Sequence, residues 1–101
     1  MNGNNYGRIV VNARYANSAA PVFGAGVAVL SEGRVQDSFE TDGGKGVSGV
    51  LPAGQYDLNA SAYGFFDEKI YGIKVYEGKN TVVDIGLFPL YASQKEDIYE
   101  L

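Results

Sequence analysis

Thr41-Asp42-Gly43-Gly44-Lys45-Gly46-Val47-Ser48-Gly49-Val50-Leu51-Pro52-Ala53-Gly54-Gln55-Tyr56-Asp57-Leu58 carries two glycine turns on either side of a very short apolar stretch, followed by a strict alternation of apolar and polar residues. Glycine tolerates positive φ and proline presets the first residue of a turn, so Thr-Asp-Gly-Gly and Leu-Pro-Ala-Gly each read as points where the chain reverses. Beyond the second turn, Tyr56, Leu58, Ala60 and Ala62 share one face while Asp57, Asn59 and Ser61 share the other. That period of two is the mark of a half-buried strand. The stretch predicts a compact antiparallel β-sandwich.

Composition agrees. The 101 residues leave room for one domain, and a chain of this size buries roughly 65% of its unfolded surface. A hydrophobic content of 46% with 14 glycines suits a β-rich globular domain and excludes disorder. Eight tyrosines and no tryptophan fit strands and hint at a partner-facing surface. Net charge is −4 with scattered basic residues, which excludes a nucleic-acid footprint. With neither cysteine nor histidine, disulfides, thiolate chemistry and the commonest general base and metal ligand are absent. No catalytic residue, metal or cofactor is therefore expected. Residues 1–6 contain no basic and apolar leader pattern, and no run approaches ~18 apolar residues, so no membrane insertion is expected and the compartment stays open.

Strand patterns recur along the body at sandwich spacing. The first covers residues 7–15, with Ile9, Val11, Ala13 and Tyr15 on one face; after a loop, a second centres on Val27 and Val29. Ser31-Glu32-Gly33-Arg34 turns into a third, residues 35–41, which aligns Val35, Asp37 and Phe39 and reads as a polar edge. A fourth covers 47–51 and a fifth 56–63; a sixth, 69–76, aligns Lys69, Tyr71, Ile73 and Val75. The turn Glu77-Gly78-Lys79-Asn80 leads to a seventh, 81–88, with Val83, Ile85 and Leu87 inward. Val82 and Phe88 then point outward and call for a neighbour.

The order Gly7-Arg8-Ile9-Val10-Val11, Pro21-Val22-Phe23-Gly24-Ala25-Gly26-Val27-Ala28-Val29, Thr41-Asp42, Leu51-Pro52-Ala53-Gly54-Gln55-Tyr56-Asp57-Leu58, Tyr63-Gly64-Phe65, Val75-Tyr76-Glu77-Gly78-Lys79-Asn80-Thr81 and Leu87-Phe88-Pro89 resembles the carboxypeptidase regulatory-like family of transthyretin-like sandwiches. The resemblance covers residues 7–89, between an N-terminal stretch 1–6 expected to be flexible and a tail 90–101. It implies a seven-stranded, Ig-like Greek-key sandwich serving as a non-catalytic accessory module. A related group, the collagen-adhesin B-type repeats, joins a lysine on the first strand to an asparagine or aspartate on the last, assisted by a glutamate. Here the first strand offers Arg8 and Arg14, and Asn59 stands where a glutamate is sought; no such crosslink is expected despite Asn80 and Asp84.

Three chemical patterns reduce to structure. Gly43-Gly44-Lys45-Gly46-Val47-Ser48 lacks the phosphate-loop spacing and reads as a turn. Asp37, Glu40 and Asp42 lack calcium-loop spacing and read as solvated edge charge. Asp67 and Glu68, adjacent on a strand, point to opposite faces and cannot flank one glycosidic bond.

The aromatic group Tyr63, Phe65, Phe66, Tyr71 and Tyr76 cannot all occupy one strand face. Tyr63, Phe66 and Tyr76 are the candidate contacts for a protein or a carbohydrate, with Phe65 and Tyr71 completing the core. In the tail, Ser93 and Glu96 form a possible capping box, and Tyr91, Ile98, Tyr99 and Leu101 are candidate docking residues. The expected function is a structural or protein-interaction module whose partner is another protein or further copies of itself; carbohydrate binding is the alternative.

Overall fold

The computed structural model describes residues 5–90 and, among them, eight strands and no helix. They are β1 (Tyr6–Tyr15), β2 (Gly26–Ser31), β3 (Arg34–Glu40), β4 (Lys45–Val47), β5 (Leu51–Pro52), β6 (Gly54–Ser61), β7 (Glu68–Val75) and β8 (Asn80–Leu87). β1 is central to the first sheet: β4 and β5 pair antiparallel along one of its edges, and β8 pairs parallel along the other, from Arg8 with Asn80 to Tyr15 with Leu87. The second sheet has the order β3-β2-β6-β7 and is antiparallel throughout.

The alternation read from the sequence builds the core. Ile9, Val11 and Ala13 of β1 and Val83, Ile85 and Leu87 of β8 are buried together with Val27 and Val29 of β2 and Tyr56, Leu58 and Ala60 of β6. Full burial of each large aliphatic side chain contributes about 1.5–3 kcal/mol. The core-facing positions of the first and last strands are thus aliphatic, while Asn59 faces outward from the second sheet and Asn80 and Asp84 lie on the outward register of β8.

The turns follow from backbone preference. Gly43 (φ 64°) and Gly44 (φ 88°) form a two-residue hairpin loop closed by paired bonds between Asp42 and Lys45, as a type I′ turn requires. At Leu51-Pro52-Ala53-Gly54 the chain reverses while crossing from β5, paired with β1, to β6 in the other sheet. The Tyr56 hydroxyl donates to the Pro52 carbonyl and holds this corner.

Four details depart from the sequence reading. The strand expected over 47–51 is two short ones, because Ser48 inserts its side chain into the ladder: Ile9 N–H donates to Ser48 Oγ at 2.9 Å, and that hydroxyl donates to Gly49 O at 2.7 Å. The pairing of first with last strand is parallel, a long-range choice that local alternation does not encode. In β7, Gly72 (φ 74°) is an extra residue opposite β6: Tyr56 pairs with Ile73 but Leu58 with Ile70. Ile70 therefore turns inward, and Tyr71, expected in the core, is 71% exposed. In β3, Val29 pairs with Asp37 but Leu30 with Val35, so Gln36 is a second extra residue. Phe39 packs against the core, whereas Val35 points to solvent rather than sharing its face. The polar edge position of β3 is as read. β1 begins at Tyr6, just inside the stretch expected to be flexible.

Candidate interaction surfaces

At one end of the sandwich, the β6–β7 connection pairs with the chain leaving β8. Phe66 N–H donates to Phe88 O at 2.9 Å, and Leu90 N–H to Gly64 O at 2.8 Å, with Phe65 and Pro89 bridged between them. Gly64 adopts φ 86°, which lets the chain bend into this small ladder. Side chains alternate across it as across any strand pair. Phe65 turns in and meets the Tyr15 ring edge-on at 5.1 Å between centroids. Phe66, Phe88 and Leu90 turn out, 57%, 58% and 40% exposed, beside the fully exposed Tyr63. The result is a set of outward apolar side chains at one end, carried on a backbone-bonded support.

This surface brings together two of the three aromatics singled out from the sequence, Tyr63 and Phe66. Tyr76 is elsewhere. It follows β7, whose eight residues separate it from the Phe66 end by about 25 Å. There it borders a shallow recess of about 410 Å³ with Ala53, Gln55 and Lys74. The three aromatics are therefore not one binding platform. Phe88 gains Phe66 as the neighbour its outward position called for, and Leu90 joins a surface that strand periodicity, ending at Pro89, did not reach. Val82 is answered differently: Val10 pairs with it on one side and with Val47 on the other, giving a short valine row across the outer face of the first sheet. The candidate docking residues Tyr91, Ile98, Tyr99 and Leu101, and the possible capping box, lie outside the described residues.

The outer face of the second sheet carries two adjoining depressions. Its middle is built of Gly26, Ala28, Ser38 and Ser61 around Asn59, leaving a depression of about 400 Å³. Ala28 and Asn59 also border an adjoining open depression of about 290 Å³, lined by Leu30, Val35, Asp57, Lys69 and Tyr71. The two bulges create it, since each turns one side chain of an edge strand, Val35 or Tyr71, onto this face. Asp57 fixes the second bulge by accepting a bond from Gly72 N–H at 3.1 Å. Asn59 Oδ1 is buried and has no hydrogen-bond partner among the described residues. Sequence reasoning missed this groove; the one available signal was a glycine, Gly72, inside a strand pattern.

The remaining polar groups hold the scaffold. Asp37 accepts from Gly49 N–H at 2.8 Å and ties β3 to the segment between β4 and β5. Thr41 and Ser48 are buried with their hydroxyls bonded. Burial pushes the Tyr56 hydroxyl's pKa above its ordinary value.

The class defined by this architecture is the two-sheet β-sandwich. No protein-family model matches the chain, and no curated protein sequence matches it. Similar solved structures include the TIE protein of Bacillus anthracis, with 21% identity and a TM-score of 0.67 over 84% of this chain. Two others are chains of type II cohesin–X-dockerin complexes from Acetivibrio cellulolyticus, a C-terminal and an N-terminal interface mutant. They show 15% and 17% identity with TM-scores of 0.64 and 0.61, each over 82% of this chain. This chain spans 17% of the length of the first and 58% of the other two. At such identities the likeness is one of fold.

Proposed function

We propose that this chain is a non-catalytic protein-interaction module of the carboxypeptidase regulatory-like, transthyretin-like kind, working beside or within a larger assembly. The observation that carries the reading is the ladder that holds Phe66, Phe88 and Leu90 outward at one end. Rigid aromatic side chains supply large contact area at little entropic cost and dominate the centres of protein interfaces. Exposing two aromatic rings and a leucine at one end is costly for a protein with nothing to bind there. The complexes in which two structural neighbours are found accord with this reading, as does a sequence without histidine or cysteine.

The test is proximity capture in the source cell, using a photoreactive residue at position 66 or 88, followed by purification of the captured partner and measurement of its affinity. The expected result is one recurrent protein whose binding falls at least 100-fold for Phe66→Ser/Phe88→Ser, with the variant still folding cooperatively. Capture of no recurrent protein, or equal affinity for the variant, overturns the reading.

A further inference from the structure

We propose that the groove on the outer face of the second sheet is a binding site for an uncharged oligosaccharide chain. Its form is what a linear sugar needs. A trough with a small-residue floor runs past Asn59, and an exposed tyrosine ring, Tyr71, stands at its side. Pyranose rings present a flat C–H face that packs on an aromatic ring, and hydroxyls at their rim that need both donors and acceptors. Asp57 supplies acceptors, Lys69 donors, and Ser38 and Ser61 both.

Two further observations point to a ligand. Bulges on both edge strands flank the same stretch of β2 and β6, and each turns a side chain onto this face that regular pairing would have directed inward. Bulges that re-aim side chains are over-represented at functional sites. Asn59, whose Oδ1 has no hydrogen-bond partner among the described residues, borders both depressions and offers an amide to a sugar hydroxyl. A small rotation of the amide beside a bound hydroxyl would satisfy that oxygen.

Charge selects the class of sugar. The groove carries Glu40 and Asp57 against Lys69, a net charge of −1 by formal count, which disfavours uronates and sulfated chains. The adjoining depression of about 290 Å³ is at the small end of ligand clefts and suits one ring, with the larger one receiving the next. A protein partner would find recessed small residues here instead of the projecting aromatics of the Phe66 end.

The experiment is a ¹H–¹⁵N NMR titration of the full chain with cellohexaose, xylohexaose, mannohexaose and N-acetylchitohexaose at millimolar concentration. At least one is expected to shift the amides of Ala28, Ser38, Asn59 and Tyr71 in a saturable manner. Tyr71→Ala should abolish the shift, and Asn59→Leu weaken it at least tenfold, with the rest of the spectrum unaltered. Phe66→Ser/Phe88→Ser should bind sugar as well as the parent does, which separates this site from the protein surface. Absence of saturable shifts with all four, shifts that map elsewhere, or full binding by Tyr71→Ala overturns the proposal.

Discussion

Replacing Thr41 by valine removes one oxygen and almost no volume, yet it should unfold this protein more easily than many larger changes. Thr41 is 4% exposed, and its hydroxyl has two bonds: Ala25 N–H donates to it at 3.0 Å, and it donates to Val22 O at 3.1 Å. Both partners are in buried residues, so water cannot replace the lost oxygen. An orphaned buried polar group costs about 1–3 kcal/mol, and the backbone bonds of Thr41 to Ala25 and Gly24 survive the change. The expected loss is therefore about 2–4 kcal/mol, a large share of the roughly 5–15 kcal/mol that a domain holds. In a chain of this size that is a fall in Tm of about 10–25 °C. Urea unfolding followed by tyrosine fluorescence, convenient with eight tyrosines and no tryptophan, should show the midpoint falling with the slope unchanged. Thr41→Ser, which keeps both bonds, should lose about 1 kcal/mol or less. A loss below about 0.5 kcal/mol for Thr41→Val would mean that neither Ala25 N–H nor Val22 O is left unsatisfied.

Three further outcomes are expected. In Gly7→Ala the new Cβ would meet backbone, the carbonyl oxygen of Tyr76 and, at 2.8 Å, that of Lys79, so the β7–β8 turn must move; a loss of about 1–3 kcal/mol should appear as a lower urea midpoint. The Tyr56 hydroxyl is raised in pKa by burial, so its contribution is complete below the unfolded value near 10 and is lost as pH rises through the folded one. Urea midpoints measured between pH 8 and pH 11 should fall less steeply for Tyr56→Phe than for the parent. Gly72→Val puts a β-branched residue at φ 74° and should cost about 1–3 kcal/mol; since Tyr71 owes its exposure to this bulge, its amide should shift most in the NMR spectrum.

The parts of this fold legible in the sequence are those that repeat every second residue or stand in one turn. Tyr56, Leu58 and Ala60, like Val83, Ile85 and Leu87, declare their inner face because an uninterrupted strand has no other way to bury them. Gly43-Gly44 declares its hairpin because few other residue pairs take two positive φ values. Each interruption hid something. Gly72 and Gln36 each add one residue, so the alternation that places Val75 and Phe39 correctly places Tyr71 and Val35 on the wrong face. The groove made by those two side chains was invisible for that reason. The Phe66 surface was legible in part: Tyr63 and Phe66 were singled out as exposed aromatics, and Phe88 was read as pointing outward. Their grouping, with Leu90, depends on a ladder between segments more than 20 residues apart in sequence, which no local pattern records.

The role proposed for the Phe66, Phe88 and Leu90 end is to bind a protein partner. The most direct measurement is the affinity of the purified captured partner for the parent chain and for Phe66→Ser/Phe88→Ser, with both folds verified by urea unfolding. Since these side chains are more than half exposed, their loss should leave the protein folded, at a cost of about 1–2 kcal/mol, while weakening the complex at least 100-fold. Equal binding by the two folded proteins would contradict that role.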